Sequence, residues 1–204
     1  MIRIVDYGVG NIQAFLSAFN ILGIPALAAK SASDFADADK LILPGVGAFD
    51  VAINMLEKSG MRKILEELVL VRQIPVLGVC VGMQILGLGS EEGDKLGLNW
   101  VSGKVRALQS NIQTQVLPIP HMGWNDIKVV KPSSLFLGLE SNAKFYFLHS
   151  YYFECENSNN FLATTSYGLN YCCALNYKNI YGVQFHPEKS HNYGMKLLKN
   201  FSDI

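Results

Sequence analysis

The sequence contains few cysteines, no excess of either charge and no long apolar run. Its four cysteines, at positions 80, 155, 172 and 173, show no CxxC spacing, which argues against a zinc site or a redox pair. Basic and acidic residues both number 17, so no basic surface for nucleic acid is indicated. No apolar stretch approaches the roughly 18 residues of a membrane span. We therefore predict no metal, no cofactor, no nucleic acid and no membrane partner.

Internal repeats, low-complexity tracts and linkers are also missing from the chain. A length of 204 residues suits one folded unit, and 50% hydrophobic residues supply a sizeable core. The N-terminal segment runs directly into an apolar strand pattern, with no signal-peptide architecture. These features predict a single domain spanning 1–204, located in the cytoplasm.

The apolar pattern alternates between strand and helix in the first half of the chain and changes to short strands in the second half. We therefore expect an α/β fold with a doubly wound, mostly parallel central sheet and added antiparallel strands in the C-terminal half. The predicted strands are 2–5, 26–29, 40–43, 76–79, 104–108, 124–130, 144–148, 161–166, 171–176 and 181–185. The predicted helices are 11–22, 48–58, 61–71, 81–88 and 192–201.

The segment GVCVG at 78–82 is the most informative feature of the sequence. It follows a strand-like run and precedes a helical one, which is the arrangement of a nucleophile elbow with Cys80 as the nucleophile. Glycines on both sides allow a sharp turn, and the start of a helix favours negative charge on the sulfur. Taken alone, the segment is equally consistent with Cys80 as a small buried hydrophobic residue.

A partner for this nucleophile is found about a hundred residues later, in YGVQFHPEKS at 181–190. A catalytic cysteine needs a base, and the base needs an orienting acceptor, roles that His186 and Glu188 can fill. Pro187 is expected to keep the segment extended, so that residues two apart share one face. Because open α/β sheets bind ligands at the carboxyl ends of their strands, the PGVG loop, Cys80 and His186 should meet at one rim.

The two segments resemble the signatures of class I, or triad-type, glutamine amidotransferases. Three further motifs are similar to one branch, the glutaminase subunits of imidazole glycerol phosphate synthase. The resemblance extends from DYGVGN at 6–11 to the last helix and implies a Cys-His-Glu triad. The three motifs of that branch are PGVGAF at 44–49, PHMGWN at 120–125 and FYFLHSYY at 145–152.

Binding residues can be assigned around this triad. Thiolate attack on an amide produces an oxyanion, which backbone N–H groups stabilise. Val81 directly follows the nucleophile and supplies one N–H group. The glycine-rich loop is the expected source of the second, through Val46 or Gly47. By itself PGVG favours a plain turn, and it is the resemblance that places this loop at the oxyanion hole. Gln84, one helical turn after the cysteine, is expected to hold the amino-acid end of the substrate.

The resemblance also implies roles for the segment after the strand at 144–148. It assigns His149, Ser150 and Tyr151 to binding of the glutamine backbone groups. A histidine satisfied within the core is the alternative for His149.

The resemblance further implies a partner. In the family, PHMGWN faces a (β/α)8-barrel synthase subunit, which assigns His121, Met122 and Trp124 to the interface, and Asn11 and Lys189 match positions on the same face. The sequence has no Walker-type loop, so we expect only the ammonia-producing half of a heterodimer. Its ammonia would be used to form imidazole glycerol phosphate in histidine biosynthesis.

Three alternatives stay open at this stage. Departures at 87–89, Ile119 and His191 are consistent with a paralogue that supplies ammonia to aminate or amidinate a surface-polysaccharide sugar. A catalytically silent binding subunit is the second, although intact Cys80, His186 and Glu188 argue against it. A thiol hydrolase or chaperone with a similar elbow is the third, and the downstream His-Pro-Glu argues against that one.

Overall fold

The computed structural model describes residues 1–111 and 117–204. The strands in these ranges are β1 Ile2–Val5, β2 Ala26–Ala29, β3 Lys40–Gly45, β4 Val76–Cys80, β5 Gly103–Ala107, β6 His121–Asp126, β7 Lys128–Val129, β8 Lys144–His149, β9 Tyr151–Cys155, β10 Phe161–Ser166, β11 Asn170–Tyr177 and β12 Ile180–Val183. The α-helices are α1 Ile12–Ile21, α2 Phe49–Ser59, α3 Arg62–Glu66, α4 Val81–Gln84, α5 Leu108–Asn111 and α6 His191–Asp203.

The central sheet has the order β2-β1-β3-β4-β12-β11-β10-β7. The five strands from β2 to β12 run parallel, and β11, β10 and β7 extend the sheet by antiparallel pairing. Two antiparallel ribbons, β5–β9 and β6–β8, complete the strand pairing of the described residues. The prediction of a mostly parallel sheet with antiparallel strands in the C-terminal half is confirmed.

One buried apolar cluster includes side chains from both halves of the chain. The central strands are buried along their whole length, as expected for parallel strands covered on both faces. The cluster also contains Phe15 of α1, Phe147 of β8 and Phe201 of α6. Because N-terminal and C-terminal elements share this core, we propose that residues 1–204 form a single domain.

The helix after the elbow is shorter than predicted. The sequence predicts a helix as far as Leu88, whereas α4 is a single turn. The carbonyl of Ile85 accepts instead from the N–H of Leu98, at 2.8 Å. The carbonyl of Leu86 accepts from the N–H of Trp100, also at 2.8 Å. A later loop therefore takes the carbonyl groups that a longer helix would have used, which the local pattern did not indicate.

Several other elements differ from the expectation. Strand β9 is absent from the predicted strands, because it follows β8 after one residue, Ser150, at which the chain passes from one ribbon to the other. The predicted helix at 61–71 is α3 continued by a π-helical turn, Glu67–Val71. The predicted strand 124–130 is divided between β6 of a ribbon and β7 at the edge of the central sheet, and the short helix α5 was not predicted. The remaining predicted elements are present, with ends shifted by a few residues.

The start of α4 packs directly against β3. A methyl group on Gly82 would lie 1.8 Å from the carbonyl oxygen of Leu43, which is a backbone atom and has no freedom to move aside. A methyl group on Gly45 would lie 2.5 Å from the Gly82 nitrogen. The two backbones thus approach as closely as glycine permits, and this contact holds the turn after β4 in place.

We predict that Gly82→Ala destabilises the protein, although alanine normally favours a helix. The added methyl group must displace β3, so we expect a loss of about 2–3 kcal/mol in the free energy of unfolding, measured by urea denaturation. Gly89→Ala is the matched control, because the nearest atom to its methyl group would be 3.6 Å away. Equal stability of the two variants would contradict the close contact.

Candidate active site

Three neighbouring strands of the sheet end at the same rim. β3, β4 and β12 are parallel, with Gly45 opposite Cys80 and Val79 opposite Val183. The loop after β3, the elbow cysteine and the segment that leads to His186 therefore emerge side by side. This is the convergence that the order of elements predicted.

Cys80 is held in a conformation that few non-glycine residues adopt. Its φ and ψ are 55° and −113°, and its side chain is buried, with the residue only 3% exposed. Such strain persists only where surrounding packing imposes it, and it is characteristic of functional turns. The side-chain Nε2 of Gln184 lies 3.8 Å from the sulfur, and the backbone carbonyl oxygen of Leu148 lies 3.9 Å from it.

His186 and Glu188 form a buried pair beside this cysteine. The imidazole Nδ1 lies 2.8 Å from the carboxylate Oε1, and the side chains are 3% and 1% exposed. The second carboxylate oxygen, Oε2, is buried without a hydrogen-bond partner in the described part of the chain. The pair has the predicted members, but the geometric reason is different: Pro187–Lys189 is a 3-10 turn and not an extended segment.

The turn is anchored to the neighbouring ribbon. The N–H of His186 donates to the carbonyl of Tyr146 at 2.8 Å. The Ser190 hydroxyl donates to the carbonyl of His186 at 2.6 Å and accepts from the N–H of Tyr146 at 2.9 Å. The orientation of the imidazole is therefore set by β8 as well as by Glu188.

The charge of His186 depends on its neighbours. Burial by itself disfavours the imidazolium, but hydrogen bonds and charge attraction from Cys80 and Glu188 outweigh it and raise the pKa of His186 to about 10. With Nδ1 directed at Glu188, Nε2 is the ring atom available to the sulfur. At neutral pH His186 is therefore an imidazolium, which places a positive charge beside the sulfur.

A cavity of about 260 Å³ opens onto the sulfur. It contains all three residues predicted for the oxyanion hole, Val46, Gly47 and Val81. It also contains the four residues predicted to bind substrate, Gln84, His149, Ser150 and Tyr151. Glu188 lies behind His186 and does not line the cavity.

The comparisons with known proteins agree with this geometry. Residues 4–204 match the family model described as "Glutamine amidotransferase class-I". The chain belongs to the class I glutamine amidotransferases. Its relatives include the imidazole glycerol phosphate synthase subunit HisH of Bdellovibrio bacteriovorus, with 56% identity, and that of Leptospira interrogans, with 48% identity. Both alignments cover all of this chain and all of the relative, so the chain groups with the HisH subunits.

Solved structures support the amidotransferase fold. A glutamine amidotransferase crystal structure superposes with a TM-score of 0.76 at 18% identity, covering 99% of this chain and 97% of the other. The structure of PurLQS from Thermotoga maritima gives 0.73 at 16% identity, with coverage of 99% and 97%. At these identities the similarity concerns the fold alone. In the described ranges no helix is long and apolar enough to cross a membrane.

Gln84 differs from its predicted role in this amidotransferase pocket. Its amide nitrogen donates to the carbonyl of Tyr151 at 2.9 Å and to the side-chain oxygen of Gln184 at 3.2 Å. Both N–H bonds are used within the protein, so the amide braces the pocket wall and does not donate to a ligand.

His149 is similarly engaged by the protein. Its Nδ1 lies 2.9 Å from the carbonyl of Tyr151, and its Nε2 lies 2.9 Å from the hydroxyl of Tyr171. Burial, assisted by repulsion from His121, lowers the pKa of His149 to about 3. The side chain is therefore a neutral, satisfied histidine that supports the pocket wall, as the alternative assignment stated.

Sequence reasoning missed one acidic residue of the pocket. Glu92 lines the cavity, and its Oε2 accepts from the N–H of Phe49 at 2.8 Å. The local signal in the sequence is the short acidic segment SEEG at 90–93, which has no chemical motif of its own. The Glu92 side chain is the only carboxylate among the described residues that line the cavity.

The predicted interface residues divide into two groups. Met122 and Trp124 are 63% and 46% exposed, on the outer face of β6, and Lys189 is exposed near the cavity mouth. Asn11 is exposed at the start of α1, where its side chain accepts from the N–H of Ala14. His121 differs from the prediction: its side chain points inward and the residue is 3% exposed, so it is excluded from the interface.

We predict that His149 makes the protein sensitive to acid. Because its folded pKa lies below the ordinary 6.5, its neutral form stabilises the fold above pH 6.5, and this contribution is lost as the pH falls toward 3. His149→Gln should therefore show a smaller fall in urea midpoint between pH 7 and pH 4.5 than the wild type. His191→Gln, which changes an exposed histidine, is the control. Parallel curves for the His149 variant and the wild type would contradict the assignment.

Proposed function

We propose that this chain is the glutaminase subunit of imidazole glycerol phosphate synthase. It hydrolyses L-glutamine to glutamate and ammonia through a thioester on Cys80. The observation that carries the proposal is the strained Cys80 at the rim of the sheet beside the buried His186–Glu188 pair. Membership among the HisH subunits supports the identity of the ammonia-consuming reaction, in histidine biosynthesis.

The first half of the reaction forms the thioester. The Cys80 thiolate attacks the side-chain amide carbon of glutamine and produces a tetrahedral oxyanion. Val81 begins a helix, where the first N–H groups have no intrahelical partner, so its N–H is a donor to this oxygen. The loop with Val46 and Gly47 supplies the second donor. Protonated His186 transfers its proton to the leaving nitrogen, and ammonia departs.

The second half of the reaction regenerates the enzyme. His186, now neutral, removes a proton from a water molecule that attacks the thioester carbonyl. The same donors stabilise the second oxyanion, and the proton returns as Cys80 leaves. Glu188 holds the imidazole by Nδ1 throughout and stabilises its charged form.

Recognition of glutamine uses the polar groups of the cavity. The Glu92 carboxylate attracts the α-ammonium group of the substrate, and Ser150 and Tyr151 provide backbone and hydroxyl groups for the α-carboxylate. Gln84 and His149 act indirectly, by holding the Tyr151 carbonyl. The side-chain amide of the substrate then extends toward Cys80.

We predict that Cys80→Ala abolishes glutamine hydrolysis and leaves the fold intact, because it removes only the sulfur. The expected loss in kcat is at least about 1,000-fold, since the residues of a triad act as a unit. Glutamate release is measured in the complex with the synthase subunit, and folding by circular dichroism. Cys155→Ala is the control, because its buried sulfur lies outside the cavity. Wild-type turnover by Cys80→Ala would refute the triad.

The proposed partner is a (β/α)8-barrel synthase subunit, bound as a heterodimer in the cytoplasm. Met122 and Trp124 project from the outer face of β6, and Tyr146 of the paired strand lies against the Trp124 ring. The Lys189 ammonium lies 6.0 Å from the centre of the Tyr146 ring. These side chains form an exposed apolar and cationic surface, and we assign Asn11, exposed at the start of α1, to the same interface.

We predict that the barrel subunit, with its nucleotide ligand bound, accelerates glutamine hydrolysis. Gly47 has a φ of 88°, and the glycine-rich loop can take two backbone arrangements, of which the partner would favour the competent one. Trp124→Ala should weaken docking about tenfold or more while leaving Cys80 alkylation by a small reagent unchanged. The measurement is the steady-state rate against partner concentration, with Tyr177→Ala as an exposed aromatic control. Full activity of the isolated chain would contradict the coupling.

A further inference from the structure

Behind the pocket wall, the hydrogen bond from His149 to the Tyr151 carbonyl is the last link of a longer chain of hydrogen bonds. It connects His121 of β6, Tyr171 of β11 and His149 of β8 to the carbonyl of Tyr151. The Tyr171 hydroxyl lies 2.8 Å from His121 Nδ1 and 2.9 Å from His149 Nε2. His149 Nδ1 then lies 2.9 Å from the Tyr151 carbonyl oxygen. The side chains of all three linking residues are buried.

The direction of every hydrogen bond in this chain is determined from its two ends. At one end, the Asn125 side-chain oxygen accepts from the N–H of Asp126 at 2.8 Å, which fixes the orientation of the amide. Its nitrogen donates to the carbonyl of Ser166 at 3.0 Å and faces His121 Nε2 at 3.2 Å. His121 Nε2 must therefore accept, and in the neutral ring the proton is on Nδ1.

At the other end, the Tyr151 carbonyl can only accept, so the His149 proton is on Nδ1. His149 Nε2 must then accept from the Tyr171 hydroxyl, and the hydroxyl oxygen accepts from His121 Nδ1. One arrangement of protons satisfies every group with both rings neutral. Burial keeps the rings neutral, since it lowers the pKa of His121 to about 4 and that of His149 to about 3.

We propose that Tyr171 and His121 are positioning residues for glutamine binding, which rests on the proposed glutaminase function. They act through His149, which holds the Tyr151 carbonyl from one side while Gln84 holds it at 2.9 Å from another. This carbonyl ends the segment that contributes Ser150 and Tyr151 to the cavity. When this carbonyl is held in place, the groups of Ser150 and Tyr151 that are proposed to bind the α-carboxylate of the substrate are held in place as well.

His121, at the end of the hydrogen-bond chain opposite to Tyr151, is held rigidly by its neighbours. The His121 ring is stacked between Tyr167, with ring centres 4.0 Å apart, and Phe147, at 4.7 Å. His121 and His149 are direct partners in the register of the β6–β8 ribbon. The imidazole of His121 therefore cannot turn away without unstacking, and it presents Nδ1 to Tyr171 in a fixed direction.

Kinetics of Tyr171→Phe in the complex with the synthase subunit test the proposal. Loss of the hydroxyl leaves His121 Nδ1 and His149 Nε2 without a partner and loosens the pocket wall. We expect KM for glutamine to rise about tenfold and kcat to change by less than about twofold, since a lost buried hydrogen bond commonly costs one factor of ten. The rate of Cys80 alkylation should not change, because the triad is untouched.

Tyr177→Phe is the matched control, since it makes the same chemical change at an exposed position of the same strand. It should leave both constants at the wild-type values. A KM for Tyr171→Phe equal to that of the control would overturn the proposal, as would a loss confined to kcat.

A second variant tests whether the two residues act through one chain. His121→Phe retains the stacking partners and removes both ring nitrogens, and it should raise KM by a factor similar to that of Tyr171→Phe. The double variant should raise KM no further than the larger single change, because both interrupt the same path. Multiplication of the two single effects would contradict a shared path.

Histidine ¹⁵N NMR of the wild-type chain tests the proton order without any activity measurement. We expect His121 and His149 to be neutral at pH 7 with the proton on Nδ1 in both. A proton on Nε2 of either ring would refute the proposed order of hydrogen bonds. Because this readout needs no substrate, a wild type with the expected tautomers but no glutaminase activity would refute the proposed function and not the hydrogen-bond chain.

Discussion

The close approach of the β3 and α4 backbones is the constraint on which the rest of the structure depends. Cys80 can present its sulfur at the sheet rim only because the chain turns through a strained φ of 55° directly after β4. That turn fits because Gly45 and Gly82 carry no side chain where the two backbones meet. The same contact brings the loop after β3 alongside the sulfur, so the nucleophile and its proposed oxyanion donors are positioned by one packing interaction.

Around this turn, two buried histidines have pKa values that are shifted in opposite directions. His186 faces a thiol and a carboxylate, and these partners raise its pKa in spite of desolvation. His149 faces a carbonyl and a hydroxyl, which offer no negative charge, so desolvation lowers its pKa. One residue type is thus charged beside the sulfur and neutral in the pocket wall. The difference arises from the charge of the hydrogen-bond partners and not from the extent of burial.

The two antiparallel ribbons connect the pocket to the outer surface. The inner face of β6 contributes His121 to the hydrogen-bond chain, and its outer face exposes Met122 and Trp124. β8 anchors the turn with His186 through Tyr146 and leads into the pocket segment at Ser150. A partner that docks on the outer face would therefore contact the strands that form the pocket wall.

The sequence by itself determined the class of fold, the family and the members of the proposed triad, because these depend on local patterns: alternating strands and helices, a glycine elbow, and a histidine two residues before a glutamate. Only the tertiary structure decided the hydrogen-bond partners of Gln84, His121 and His149, since each bonds a residue distant in the chain. The same holds for the short α4, whose carbonyl groups are taken by the loop at Leu98 and Trp100. Hydrogen bonds between distant segments are set by how the elements pack, and local sequence carries no record of that packing.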